Sequence, residues 1–118
     1  MQGYNSPNTS LHTGVMMFSN IYVTTANFEE ARRISHQLLQ AKLCACVNIH
    51  PVMSIYQWKG DIQEEEEYAL NIKTRTTLVQ KVTEKLLELH TYETPCIVSY
   101  NIDYGSKEYL QWISDETI

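Results

Sequence analysis

The stretch "LCACVNIHPVMSIYQWKGDIQEEEEYALNIKTR", residues 43–75, decides the fold, because it reads as two long strands joined by a turn. Its first half, 43–58, is apolar and rich in the β-branched and aromatic residues that favour strands. The residues "KGD" at 59–61 supply turn chemistry. In the second half, apolar side chains recur every second position and therefore share one face: Tyr68, Leu70 and Ile72. Together the halves predict an antiparallel hairpin.

The elements outside this hairpin complete a recognisable order. We predict a strand over 16–25, a helix capped by Asn27, a helix over 76–90 capped by Thr76 or Thr77, a strand over 95–103, and a short helix over 107–117 capped by Ser106. The order is βαββαβ plus a C-terminal helix. With right-handed crossovers, it predicts an α+β ferredoxin-like sandwich, in which a four-stranded antiparallel sheet carries both main helices on one face.

The hairpin is too long for a compact domain. Strands of about fourteen residues at about 3.3 Å each reach roughly 45 Å, whereas a domain of this size has a radius of gyration of about 13 Å. The tip, with Ile55, Tyr56 and Trp58, should then overhang its own sheet and leave apolar groups exposed, which predicts a homo-oligomer. The alternative is a sharp bend at Pro51, which lacks a donor for the ladder and marks either a bend or an edge strand.

Composition limits the remaining possibilities. The 118 residues suit one domain, with 1–14 as a flexible polar leader and 15–118 as the domain. A net charge of -5 without a basic run argues against nucleic acid as a partner. No secretory signal or membrane span is apparent, which predicts no membrane partner. Three cysteines, two of them Cys44 and Cys46, cannot all pair, and this favours a reducing, cytoplasmic location.

Four segments, "KLCACVNI", "SIYQWKGDIQEEEEYALNIKT", "ELHTYETPCIV" and "YLQWI", resemble the CutA family of divalent-cation tolerance proteins in order and separation. The resemblance covers about residues 17–116 and makes 15–118 a single CutA-like domain. It implies a ferredoxin-like protomer in a tight homotrimer, with the long hairpin reaching across a neighbour, an architecture similar to PII-type signal proteins. It also implies copper or other divalent ions as ligands.

The segment 88–100 contains three residues with metal-ligating side chains, His90, Glu93 and Cys96. His90 matches the histidine of the family's His-Pro-Tyr motif, and imidazole suits Cu(II) or Zn(II). Its alternative role is a cation at a helix C-terminus. Cys96 stands where many members have glutamate, and a thiolate would shift preference toward Cu(I) or Zn. The alternative interpretation of Cys96 is that it packs as a small buried apolar residue at the start of a strand.

Further ligand candidates lie on the hairpin and in the aromatic residues. Within the acidic run 64–67, Glu67 is the best candidate for a ligand in a cleft, because it matches a family glutamate. Some relatives carry a cysteine that resembles a copper ligand in the first strand, and here that position is Val23. Lys73 could hold an anion or pair with Glu67 across the trimer. Five aromatic side chains either wall a subunit cleft or pack at an interface: Tyr56, Trp58, Tyr92, Tyr109 and Trp112.

The leading hypothesis is a cytosolic, non-enzymatic homotrimer that binds divalent metal ions, Cu or Zn, in metal tolerance or signalling. A second is an enzyme or small-metabolite sensor, in which His90 would be the general acid or base and Lys73 would hold an anionic substrate. A third is a purely structural trimer. The sequence contains no glycine-rich phosphate loop, nucleophile elbow or HExxH pair.

Overall fold

The computed structural model of the protein describes residues 17–118, so the predicted leader over 1–14 lies outside the described residues. The elements follow the predicted order: β1 (Phe18–Thr25), α1 (Phe28–Gln40), β2 (Cys46–Trp58), β3 (Asp61–Arg75), a 3-10 turn (Thr76–Leu78), α2 (Val79–Leu89), β4 (Ile97–Ile102) and α3 (Lys107–Asp115). None of the helices within this part of the chain has both the length and the apolar character of a membrane span.

The four strands form one antiparallel sheet in the order β2-β3-β1-β4. This topology confirms the predicted ferredoxin-like sandwich. The register between β1 and β3 places buried side chains opposite each other on one face. Ile21 of β1 lies opposite Ile72 of β3, and both are fully buried. The strands β2 and β4 are the two edges of the sheet.

Helices α1 and α2 cover one face of the sheet. Their core joins buried residues of the sheet to buried residues of the helices: Ile21, Val23, Leu70 and Ile72, with Ala31, Ile34, Leu38, Val82 and Leu86. Because side chains alternate along a strand, Phe18 points to the other face. There it packs with Leu110 and Ile113 of α3 in a second, smaller cluster. The helix α3 therefore covers one end of the face that α1 and α2 leave open.

Two of the predicted helix caps are confirmed. The side chain of Asn27 accepts a hydrogen bond of 2.8 Å from the backbone N–H of Glu30 and begins α1. Ser106 does the same for Tyr109 at the start of α3, at 3.3 Å. Each bond satisfies a backbone donor that the first helical turn leaves free.

The predicted threonine cap of α2 was wrong. A 3-10 turn over Thr76–Leu78 precedes the helix, and no side chain caps either segment. The Oγ1 of Thr76 lies instead 2.7 Å from the Oγ of Ser19 on β1. The hydroxyl has a tertiary partner, so the helix begins one turn later than the sequence pattern suggested.

The hairpin has no break at Pro51. The strand β2 runs through Pro51 without interruption, and Pro51 lies opposite Tyr68 in the register. Since β2 is an edge strand, the proline occupies a position where a missing donor is tolerated, and the alternative of a sharp bend was wrong. The described chain measures 48 × 29 × 21 Å, with a radius of gyration of 15.8 Å, compared with about 13 Å for a compact domain of this size.

The hairpin therefore extends beyond the helices, and we call residues 52–66 the hairpin overhang. Three of its apolar side chains are mostly exposed, Met53 at 57%, Ile55 at 63% and Ile62 at 68%. Register places these three on the sheet face that α1 and α2 cover further along the strands. The overhang is confirmed, and within the described chain these three apolar side chains are mostly uncovered.

Candidate functional site

A cavity of about 690 Å³ lies on the open face of the sheet, beneath the hairpin overhang. The overhang, Glu67 of β3, the strand β1 and the α2–β4 loop form its walls. Strand alternation brings every second side chain of β1 and β3 into the cavity. The lining residues on this face are Tyr22, Thr24, Ser54, Tyr56, Trp58, Gln63, Glu65, Glu67, Tyr92, Glu93, Thr94 and Cys96, and Ile55 contributes from the other face of the edge strand β2.

Glu67 is the most deeply buried carboxylate in this cavity, with 5% of its surface exposed. Its Oε2 accepts a hydrogen bond of 2.6 Å from the hydroxyl of Tyr92. Burial, followed by this bond to Glu67, raises the pKa of the Tyr92 phenol well above its usual range. Within residues 17–118, Glu67 forms no ion pair, and its Oε1 accepts no hydrogen bond from the protein.

A second carboxylate and phenol pair lies on the overhang. The hydroxyl of Tyr56 donates a hydrogen bond of 2.7 Å to Oε1 of Glu65. This bond, together with the nearby negative charge, raises the pKa of Tyr56 to about 12. Glu65 and Glu67 are two residues apart on β3 and therefore point into the same cavity. The paired phenols hold each carboxylate through one oxygen and leave the other available.

His90 ends α2 and lies behind the cavity rather than in its wall. Its side chain is fully buried, and its Nε2 lies 2.7 Å from the backbone oxygen of Thr24. A carbonyl oxygen only accepts, so Nε2 carries the proton, and Nδ1 accepts a bond of 3.0 Å from the backbone N–H of Tyr92. Both ring nitrogens are therefore occupied, which leaves no lone pair on His90 for a metal ion in this arrangement.

Glu30, which sequence reasoning did not select, anchors the same loop from α1. Its Oε2 accepts bonds of 3.0 Å and 2.8 Å from the N–H and hydroxyl of Thr91, and its Oε1 accepts one of 3.1 Å from the N–H of Ala26. Burial opposes ionisation most strongly, but these bonds outweigh it and hold the pKa of Glu30 below its usual value. The only signal in the sequence is an acid in the first turn of a helix.

The structure brings six of the predicted site residues to the cavity: Tyr56, Trp58, Glu67, Tyr92, Glu93 and Cys96. Cys96 is exposed, so its interpretation as a small buried residue was wrong. The reason is that Cys96 precedes β4 and its side chain lies on the open face of the sheet. Tyr22 was missed, although its position between the buried Ile21 and Val23 places it on that face.

The remaining three candidates lie outside the cavity of the single chain, and their predicted place at a cleft between subunits stays a prediction. Lys73 lies opposite Cys46, six residues from Glu67 along β3, which at about 3.3 Å per residue is roughly 20 Å. Its Nζ donates a bond of 2.9 Å to Oδ1 of Asn48. The rings of Tyr109 and Trp112 on α3 pack against each other, with centroids 5.7 Å apart, outside the cavity lining.

The described part of a single chain does not assemble a complete metal-ligand set. Within residues 17–118, no three His, Cys, Asp or Glu side chains come close enough together to hold an ion. All three cysteines are free thiols, with Cys44 buried in the core as expected for packing. The cavity offers carboxylates and one thiol, but an ion bound there needs ligands from water or from another molecule.

Comparison with known proteins places this geometry in a family. Residues 19–116 match the family model described as CutA1 divalent ion tolerance protein. The divalent-cation tolerance protein CutA of Archaeoglobus fulgidus is 44% identical over 102 residues, which cover 86% of this chain and 99% of that protein. The chloroplastic CutA of Arabidopsis thaliana is 39% identical over 98 residues, which cover 82% of this chain and 54% of that longer protein.

The fold agrees with the same assignment. The solved structure of the periplasmic divalent cation tolerance protein CutA from Archaeoglobus fulgidus superposes with a TM-score of 0.83 and 42% identity, covering 85% of this chain and 98% of that chain. This match confirms the resemblance carried by the four sequence segments, which span the hairpin, the α2–β4 loop and α3. The chain therefore belongs to the CutA1 divalent ion tolerance protein family.

Proposed function

We propose that the protein acts in divalent-cation tolerance by binding such cations in the cavity, and that it does so without catalysing a reaction. The observation that carries this proposal is the carboxylate of Glu67, which is 5% exposed and has no cationic partner within residues 17–118. A buried carboxylate that has a hydrogen bond from Tyr92 but no positive charge beside it is only partly compensated, and a bound cation would complete the compensation. The tolerance role of the named relatives points to the same class of ligand.

The donors of the cavity suggest which ions bind best. Glu67 and Glu93 supply carboxylate oxygens, and Cys96 adds a thiol that favours Zn²⁺ or copper ions over Mg²⁺ or Ca²⁺. We assign His90 a positioning role, because it holds the backbone of Tyr92 and so aims the Tyr92 hydroxyl at Glu67. The enzyme alternative has no support from geometry, since Lys73 lies outside the cavity and both nitrogens of His90 are occupied.

We also propose that the working form is a homotrimer in a reducing, cytosolic compartment. The hairpin overhang leaves Ile55 and Ile62 uncovered, and a neighbouring subunit would bury them. That subunit would also provide the ligands that a single chain lacks. The overhang is one wall of the cavity and would also contact the neighbouring subunit. An ion bound in the cavity would therefore change the contact between subunits, and this coupling is the basis of a PII-like signalling role.

Titration calorimetry with ZnCl₂ and CuCl₂ tests the ion proposal on the full chain. We expect Glu67→Gln to weaken binding about 10- to 100-fold, since a charge-assisted contact is worth about 1.5–3 kcal/mol, and Cys96→Ser to weaken zinc and copper binding. Matched controls are Glu64→Gln, exposed on the other face of β3, and Cys46→Ser, outside the cavity lining; both should bind like the native protein. Absence of binding, or equal binding by all variants, would refute the proposal.

A further inference from the structure

The cavity is larger and more aromatic than a site for a bare ion requires. Its volume of about 690 Å³ is in the range of small-molecule sites, which span about 300–1,000 Å³. Four of its lining residues are aromatic: Tyr22, Tyr56, Trp58 and Tyr92. A hydrated divalent ion makes little use of such walls, whereas the faces of aromatic rings attract organic cations.

The charge of the cavity selects for a cation. Its lining contains Glu65, Glu67 and Glu93 and no lysine, arginine or histidine. The phenols of Tyr56 and Tyr92 each occupy one carboxylate oxygen, so Glu65 and Glu67 each retain a second oxygen that accepts no hydrogen bond from residues 17–118. These two oxygens are acceptors that suit hydrogen-bond donors carrying positive charge.

The ring of Trp58 lies near an ammonium group of the protein itself. The Nζ of Lys59 is 5.5 Å from the centroid of the Trp58 ring, within the range of a cation–π contact. Lys59 belongs to the turn and is not among the lining residues. The contact shows that the Trp58 ring takes part in a cation–π contact within the protein itself.

We propose that the cavity binds a small primary ammonium compound with an apolar or aromatic body, whose ammonium group contacts Glu67 and whose body lies against the aromatic walls. An ammonium ion needs no set of three converging ligands, and none is present within residues 17–118. The inference goes beyond the divalent-ion proposal. It shares Glu67 with that proposal, but it depends on Trp58 and not on Cys96.

Titration of the full chain with benzylammonium chloride tests the inference, with benzyl alcohol as the neutral ligand of similar shape. We expect benzylammonium to bind at least about 10-fold more tightly than the alcohol. Glu67→Gln should weaken benzylammonium about 10- to 100-fold, and Trp58→Leu should weaken it about 5-fold or more. Thermal unfolding of each variant verifies that the fold is intact.

Two control variants share the exposure or the side-chain type of the tested residues. Trp112→Leu removes a tryptophan that is 41% exposed, compared with 38% for Trp58, but lies on α3. Glu64→Gln removes an exposed carboxylate from the opposite face of β3. Both should bind benzylammonium like the native protein. Equal binding of the alcohol, equal effects of the two tryptophan substitutions, or no binding of benzylammonium at millimolar concentration would overturn the inference.

The same variants separate this inference from the ion proposal. Cys96→Ser should weaken zinc while leaving benzylammonium unchanged, and Trp58→Leu should do the reverse. If zinc binds through Glu67 and Cys96 but benzylammonium does not bind, only the ammonium inference fails. If benzylammonium binds as expected but zinc does not, only the ion proposal fails.

Discussion

The ring of His90 links the end of α2 to β1, because its Nε2–H donates to the backbone oxygen of Thr24 at 2.7 Å. The two residues are 66 positions apart in the chain, and the histidine side chain is fully buried. On the other side of the ring, Nδ1 accepts the backbone N–H of Tyr92. One side chain thus fixes a strand, a helix end and the loop that carries part of the cavity wall.

Replacing His90 with alanine should lower the free energy of unfolding by about 1–3 kcal/mol, because the backbone groups of Thr24 and Tyr92 would lose their partners in a buried place. Urea unfolding followed by circular dichroism measures the change. His36→Ala, an exposed histidine on α1, is the control and should change stability by less than about 0.5 kcal/mol. Equal stability of the two variants would contradict the role given to His90.

Glu30 should make the free energy of unfolding depend on pH in the acidic range. Its folded pKa lies below its ordinary value of 4.5, so the unfolded state binds the proton more readily. The stabilisation is therefore fully present above pH 4.5 and is lost as the pH falls through the folded pKa. Glu30→Gln should be less stable than the native protein at pH 7, by about 1–3 kcal/mol, and the difference should shrink toward pH 3.

Urea unfolding at pH 3 to 8 measures this dependence. Glu29→Gln, on the same helical turn but exposed, should follow the native curve. A constant difference between Glu30→Gln and the native protein across this range would show that the carboxylate charge does not contribute.

The three cysteines should differ in reactivity. Burial, followed by the neighbouring Cys46, raises the pKa of the Cys44 thiol to about 12, so almost no thiolate forms near neutral pH. Cys96 is exposed at the cavity. Iodoacetamide at pH 8 should alkylate Cys96 first in the native protein and Cys44 only after unfolding, as measured by peptide mass spectrometry. Labelling in urea is the control, and there all three should react similarly.

A charge on the hairpin overhang should disrupt the proposed trimer. Ile62 is 68% exposed in the chain and would be buried by a neighbour, so Ile62→Asp places a charge in an apolar interface. Leu87→Asp is the control, since Leu87 is 57% exposed but lies on α2. Light scattering after size exclusion should give a trimer for the native protein and for Leu87→Asp, and smaller species for Ile62→Asp. A native monomer at micromolar concentration would contradict the trimer.

Local patterns were sufficient to predict the strands, the order of elements and the caps at Asn27 and Ser106, since each depends on neighbours within a few residues. The start of α2 was not predictable in this way, because Thr76 is held by Ser19 from a different strand. The places of Lys73 and His90 were not predictable for the same reason. Whether Lys73 reaches Glu67 depends on the register and length of β3, and whether His90 is available depends on a carbonyl of β1.

The four consecutive glutamates 64–67 illustrate how differently identical neighbours can be constrained. Glu67 is 5% exposed and Glu65 is held by Tyr56 in the cavity, whereas Glu64 and Glu66 are exposed on the other face. Substitutions along this run should therefore be tolerated with a period of two. A survey of natural or laboratory variants would find many substitutions at positions 64 and 66 and few at positions 65 and 67, although all four residues are glutamate.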